Sequence, residues 1–386
     1  QLGFKYFGPI DGHNIPLIMS TLHHAKEIEG PVLIHVITKK GKGYKPAEEN
    51  PTRFHGTGPF DIETGLPLSD AEKQTYTSVF GKSMAKIGEK DDKVVAITAA
   101  MIDGTGLEEF ATAFPGRFFD VGIAEELAVT SAGAMAKSGY KPVVAVYSTF
   151  LQRAYDEIIH DVCLQNLPVI FAIDRAGIVG EDGATHNGVF DIAFLRNLPN
   201  MVVMAPKNEN ELQQMLYTAT KAFQACAIRY PRGSGPQCEI EAELNEIEIG
   251  KGEIVFDSNL KSPNSKLCII SLGSMVQPSI DASKMLEKDK IAATVINARF
   301  VTPIDKDLIL KGIKNADKII TVEEGVLDGG FGSAVLELLS EAKINTPIKR
   351  FGLPCKFIEH GKRDFILSKY GLDAEGIYNK IIKDEN

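Results

Sequence analysis

Short apolar runs recur along this chain, separated by segments in which apolar positions return every three or four residues. Between 72 and 240 the runs predict strands at 93–99, 142–147, 168–173, 201–205 and 226–230. The intervening periodic segments predict helices at 73–88, 124–138, 150–165 and 209–222, and a short strand over 118–122 leads into the second of them. Strands alternating with helices predict βαβ units and a mostly parallel sheet. The alternation returns after 267, with strands at 267–271, 291–297, 317–322 and 347–352 and helices at 277–287, 306–314 and 331–341, then two short helices. An acidic run, a short strand and a polar loop occupy 241–266. The expected fold is therefore α/β throughout, with a larger domain over 72–240 and a smaller one over 241–386.

The first 45 residues read differently. Asp11 is placed to cap a helix with apolar positions Ile15, Leu17, Ile18, Leu22 and Ile28, and Gly30-Pro31 stops it. Val32–Ile37 then reads as a buried strand. One helix and one strand cannot bury a core, so residues 1–45 are expected to be the tail of a larger α/β domain. Residues 46–71 are rich in Pro, Gly, Thr, Asp and Glu and read as a linker.

Composition narrows the classes. The chain has 386 residues, 44% hydrophobic and 24% charged, with a formal net charge of −9. That balance supports sizeable cores and argues against nucleic acid or an anionic membrane as partner. The five cysteines form no C-x-x-C pair and read as reduced thiols. No apolar run reaches the length of a membrane span. Gln1 opens the chain with neither an initiator Met nor a leader-like pattern, so a natural start elsewhere is expected.

Ligands of open parallel sheets bind beyond the carboxyl ends of the strands. The strand at 142–147 ends in Tyr147, followed by Ser148-Thr149-Phe150. The next runs into Asp174-Arg175 and the loop AGIVGEDGATHNG, which carries Asp182 and His186. The strand at 226–230 leads into Pro231-Arg232-Gly233, and the one at 118–122 into Ile123-Ala124-Glu125-Glu126. Each group also has an ordinary reading. Glu125 and Glu126 would suit a helix N-terminus. Arg175 would suit a surface ion pair with Asp174, and Arg232 a solvated loop. Tyr147 and Phe150 would suit core packing, His186 an exposed loop, and the loop glycines simple turns.

The run from DVGIAEELAVTSAGAMAKSGY through YSTFLQRAYDEIIHD to DRAGIVGEDGATHNG, with the later AIRYPRG, resembles the pyrimidine-binding domain of transketolase-type thiamine-diphosphate enzymes. The closest resemblance is to the branch that joins pyruvate to glyceraldehyde 3-phosphate. GPIDGHN, TKKGKGYKPAE and FHGTGPFD resemble the end of that family's diphosphate-binding domain and the linker after it, and 267–386 resembles its C-terminal domain. The resemblance implies a decarboxylative condensation giving 1-deoxyxylulose 5-phosphate and CO2, the first step of the methylerythritol phosphate route to isoprenoids. It implies thiamine diphosphate as electron sink, Mg2+ on the diphosphate, and a homodimer in bacterial cytoplasm or a plastid.

By the same resemblance, Glu125 hydrogen-bonds the aminopyrimidine ring and activates the cofactor, a role that needs a proton on its carboxyl. Phe150 packs on that ring, Ile123 walls the pocket and Arg153 lies near it. Tyr147, Arg175 and Arg232 hold the acceptor's phosphate, for which the planar guanidinium fork is suited. Asp182 and His186 face the acceptor's hydroxyls and carbonyl, with His186 moving protons. Lys40 and His55 match further active-site positions, Lys40 toward the cofactor and His55 toward the substrate.

Two departures stand out. The family reads A-E-Q-H where this chain has Ala124-Glu125-Glu126-Leu127. The G-D-G metal motif does not occur, so no metal ligand is expected here and the motif is expected upstream of Gln1, on a missing N-terminal portion. Two other readings stay open at this point: the β-subunit of a 2-oxo acid dehydrogenase or a split transketolase half, and a non-catalytic assembly or regulatory domain pair. A dinucleotide-binding oxidoreductase would need G-x-G-x-x-G after a first strand, and none occurs.

Overall fold

The computed structural model describes residues 2–68, 74–261 and 263–385. Gln1, the end of the expected linker and the first residue of the helix expected at 73–88 lie outside the described residues. The chain forms two compact units, residues 1–72 and 73–386.

In the first unit, β1 (Lys5–Asp11) pairs in parallel with β2 (Val32–Ile37), and α1 (Ile15–Ala25) connects them. β1 was not expected, because Gly8-Pro9 interrupts its apolar pattern and its register slips between Phe7 and Ile10. Asp11 does not cap the helix. It ends β1, and Asn14 is the cap, its Oδ1 accepting the Leu17 N–H at 3.1 Å. The helix also stops short of Ile28. β2 is not the buried strand its composition suggested, since no residue of it is buried. A two-stranded sheet has too little mass to cover its own faces, and Ile15, Met19, Leu22, Leu33 and Ile37 are exposed. Residues 44–68 are ordered around Tyr44, Phe54 and Phe60, whose ring centroids lie 5.1–5.8 Å apart, with Arg53 Nη2 donating to the Gly65 carbonyl at 2.8 Å.

The second unit begins with α2 (Tyr76–Lys90), whose Thr75 and Ser78 form a reciprocal capping box. Then follow β3 (Val94–Thr98), β4 (Phe118–Asp120), α3 (Glu125–Lys137), β5 (Lys141–Tyr147), β6 (Ile170–Asp174), β7 (Met201–Met204), α4 (Glu209–Ala219) and β8 (Ala225–Arg229). The segment expected as one helix over 150–165 is instead a chain of short turns ending in a π-helix, Ile158–Cys163. There the Leu164 N–H reaches back to the Ile159 carbonyl at 2.9 Å. The wider turn brings Ile158, Val162 and Cys163 together on the buried side.

A second set of elements follows: β9 (Glu253–Asp257), β10 (Ser265–Ser271), α5 (Val276–Leu286), β11 (Ile291–Asn297), β12 (Phe300–Thr302), α6 (Lys306–Ile313), β13 (Lys318–Val326), α7 (Phe331–Glu341) and β14 (Ile348–Leu353). Arg363–Lys369 and Ala374–Glu385 close the chain as helices. Seven strands form one sheet in the order β12-β7-β8-β6-β5-β3-β4, parallel except for β12. Five form the other, β14-β13-β10-β11-β9, parallel except for β9. β12 therefore lies after β11 in the chain yet extends the first sheet. One apolar cluster runs through both, from Val144 and Phe171 to Ile270, Ile296 and Phe331. Two sheets sharing one core cannot separate without exposing it.

Glu323 on β13 is buried, and its carboxylate accepts the N–H groups of Phe331 and Gly332 at 2.7 and 2.8 Å, at the start of α7. Burial nonetheless outweighs those bonds and the nearby Arg229 and Arg350, and pushes its pKa up to about 7. The folded state therefore holds this proton more tightly than the unfolded chain does. That contribution is whole below the ordinary value of 4.5 and is lost as pH rises through about 7. Urea unfolding at pH 5 and pH 8 should show Glu323→Gln losing about 3 kcal/mol less stability over that interval than the unmodified chain.

Candidate active site

The parallel strands β3, β4, β5, β6 and β8 put their carboxyl ends at one edge, and the polar groups that follow them gather there. At the end of β5 the chain turns at once into the short helix Ser148–Leu151. That turn stacks Tyr147 on Phe150, with centroids 5.7 Å apart and planes 19° apart. The His186 ring meets Phe150 edge-on at 5.4 Å, and the Arg153 guanidinium carbon lies 5.5 Å from the Phe150 centroid.

The loop that brings His186 here is closed by its own backbone. Gly177 and Gly188 exchange N–H to carbonyl bonds at 2.6 and 2.8 Å. Thr149 Oγ1 donates to the Thr185 carbonyl at 2.9 Å, which ties the loop to the turn carrying Phe150. His186 Nδ1 lies 2.9 Å from Thr185 Oγ1.

Arg175 follows β6. Its guanidinium carbon lies 4.2 Å over the Tyr147 centroid, a cation–π contact. The ion pair with Asp174, which the sequence suggested as a surface pair, is buried: Asp174 is 0% exposed and Arg175 15%, with Nη1 to Oδ2 at 3.1 Å. Thr77 Oγ1 donates to the same carboxylate at 2.8 Å. Loss of solvation pushes Asp174 up from its ordinary value, with Arg175 and Thr77 opposing. Burial likewise raises the Tyr147 phenol, and the positive charge of Arg175 works against it.

Arg232, beyond β8, donates from Nη1 to Asp182 Oδ2 at 2.7 Å, an exposed pair at 38% and 40%. Both charges act on the Tyr147 hydroxyl, so they stand in its neighbourhood. Glu125 occupies the first position of α3 and is 2% exposed, yet its Oε2 is buried without a hydrogen-bond partner. Ile123, just before it, is 84% exposed. The structure thus brings Tyr147, Phe150, Arg153, Arg175 and His186 together, with Asp182–Arg232 beside them. Glu125 and Ile123 follow β4 at the same edge, and α3, which Glu125 begins, packs against the turn Gln152–Ala154 that carries Arg153. Lys40 and His55 belong to the first unit, where both side chains are exposed. Among the described residues, no group of three or more His, Cys, Asp or Glu gathers as metal ligands.

Sequence reasoning missed Thr77 and Gly104. Arg175 Nη1 also donates to the Gly104 carbonyl, and a Cβ at Gly104 would stand 1.7 Å from the Tyr147 hydroxyl. Both residues lie on elements remote in sequence from Arg175, so no spacing pattern could reveal them. Only Asp174, as its neighbour, gave a signal.

The two ion pairs differ in burial, and their removal should differ accordingly. Asp174→Ala leaves a charge uncompensated in the interior and is expected to cost about 3–5 kcal/mol in urea unfolding. Asp182→Ala should cost under about 1 kcal/mol in the same measurement.

Known protein families match this chain along most of its length. The description "Transketolase, pyrimidine binding domain" matches residues 72–237, and "Transketolase, C-terminal domain" matches 257–377. A family named 1-deoxy-D-xylulose-5-phosphate synthase matches residues 1–38. The curated proteins of that name from Halothermothrix orenii and Pelotomaculum thermopropionicum are 54% and 53% identical over 384 residues. Each comparison covers 99% of this chain, which spans 59% of the length of those relatives. Among solved structures, a split-gene transketolase described as an inactive beta4 tetramer superposes with a TM-score of 0.70 at 30% identity. That match covers 80% of this chain and 97% of the other. Transketolase from Pichia stipitis, at 20% identity and a TM-score of 0.64, shares the fold over 80% of this chain and 45% of its own.

Proposed function

This chain belongs to the transketolase family, and we propose that it is part of a 1-deoxy-D-xylulose-5-phosphate synthase and carries that enzyme's pyrimidine-binding and C-terminal domains. The reaction is the condensation of pyruvate with D-glyceraldehyde 3-phosphate to 1-deoxy-D-xylulose 5-phosphate and CO2, opening the methylerythritol phosphate route to isoprenoids. We place the enzyme in a bacterial cytoplasm, as a homodimer. The rest of the diphosphate-binding domain, with the ligands for Mg2+, is assigned to the part of the relatives that this chain does not span. The exposed apolar faces of the first unit favour such a covering partner.

The observation that carries the reading is the orphaned carboxyl oxygen of Glu125. A buried carboxyl oxygen without a partner is rare, and a ring nitrogen would satisfy it. Thiamine diphosphate, when bound, supplies the electron sink for losing CO2 and forming the new carbon–carbon bond. Glu125 hydrogen-bonds the aminopyrimidine, holding a proton at Oε2. Phe150 offers the ring face that packs against it, with Ile123 and Arg153 beside it. Tyr147, Arg175 and Arg232 receive the acceptor's phosphate, and Asp182 orients its hydroxyls. His186, held at Nδ1 by Thr185, leaves Nε2 to pass a proton to and from the acceptor's carbonyl oxygen. Lys40 and His55 are carried as further active-site residues.

The synthase reading is preferred to a split transketolase half because residues 1–38 match the synthase family and identity to the synthases far exceeds the 30% to the split transketolase.

Glu125→Gln keeps the size of the side chain but cannot pass a proton. In the complete enzyme it should lower the rate of deoxyxylulose phosphate formation at least about 100-fold while circular dichroism stays unchanged. Near-normal turnover would refute the assignment.

A further inference from the structure

We propose that Asp174, Thr77 and Gly104 are positioning residues that fix the Arg175 guanidinium over Tyr147, and so set the enzyme's preference for a phosphorylated acceptor. The proposal rests on the reading of Arg175 and Tyr147 as phosphate receptors. It adds what makes them one.

Asp174 is fully buried and spends its carboxylate on Arg175 twice, accepting the backbone N–H at 2.6 Å and facing Nη1 at 3.1 Å. Its second partner is the Thr77 hydroxyl, which approaches from the start of α2. Nη1 is also shared with the Gly104 carbonyl and lies 3.4 Å from Thr77 Oγ1. One nitrogen of the fork is thus enclosed by three protein acceptors and has nothing left to offer a ligand. The Nε–H, by contrast, is buried and has no partner. With Nη1 pinned by the protein and Nε buried, the fork's direction is fixed and Nη2 is the nitrogen left to meet an anion oxygen.

Two further features bear on the same contact. Arg175 has φ of 58°, a left-handed conformation that a branched-out side chain adopts only when its surroundings hold it. Gly104 supplies both the carbonyl for Nη1 and the empty space for the Tyr147 hydroxyl, so one residue sets the spacing of the two receptor groups. Charge alone does not explain the selectivity, since each arginine is already neutralised, Arg175 by Asp174 and Arg232 by Asp182. The direction of the remaining donors decides it.

The experiment compares D-glyceraldehyde 3-phosphate with unphosphorylated D-glyceraldehyde as acceptor, in the complete thiamine-diphosphate-loaded enzyme. Thr77→Val removes the hydroxyl at constant volume. It should raise KM for the phosphorylated aldehyde about tenfold, keep kcat within about twofold, and leave kcat/KM for D-glyceraldehyde unchanged. Thr77→Ser, which restores the hydroxyl, should return KM to the unmodified value. Gly104→Ala should mimic Thr77→Val by displacing Tyr147. Unchanged KM in both Thr77→Val and Gly104→Ala, or equal loss with both acceptors, would overturn the proposal while leaving the phosphate reading intact. An unmodified enzyme indifferent to the phosphate would overturn both.

Discussion

A parallel sheet is covered on both faces, so its polar chemistry can stand only where strands end. In this chain that constraint is obeyed by β5, β6 and β8, whose interiors are wholly apolar until Tyr147, Asp174 and Arg229. The change from buried strand to polar terminus happens within one or two residues. Each terminus therefore holds its side chain at a height set by the register of the sheet, such as Tyr147 against Asp174 on the paired strands.

Burial then converts proximity into fixed geometry. Asp174 is an ion-pair partner that cannot be traded for water, and it immobilises Arg175 as no surface carboxylate would. The Asp182–Arg232 pair, half open to solvent, has the opposite character and exchanges partners at little energetic penalty. One arginine at this edge is thus held by a buried partner and the other by an exposed one. Beyond them, Glu125 keeps an unsatisfied oxygen in the interior, where an unpaired polar atom costs about 1–3 kcal/mol of stability.

The second sheet supports this edge through buried ionic contacts of its own. Glu324, from β13, accepts the Ile178 N–H at 2.8 Å and the Ser274 hydroxyl at 2.6 Å. Arg229 bonds Asp191 at 2.9 Å and the Glu324 carbonyl at 3.0 Å. The loop bearing His186 is therefore braced by the C-terminal half of the chain, and β12 adds a strand to the seven-stranded sheet itself. Stability in one half and placement of the loop in the other are coupled through these contacts.

Read alone, the sequence determined the alternation of strands and helices, the edge at which polar groups gather beyond the strands, and the placement of Glu125, Tyr147, Phe150, Arg175, His186 and Arg232 there. Those features are local, carried by apolar runs and by the residues that terminate them. The cap at Asn14, strand β1 and the π-turn at Ile158–Cys163 were hidden, because Gly8-Pro9 breaks one pattern and a π-turn shifts the period of another. Only tertiary structure decided that Asp174 is buried, that Thr77 and Gly104 close on Arg175, and that Asp182 answers Arg232. These contacts join residues far apart in the chain, and their energies depend on exclusion of water, which no linear pattern records.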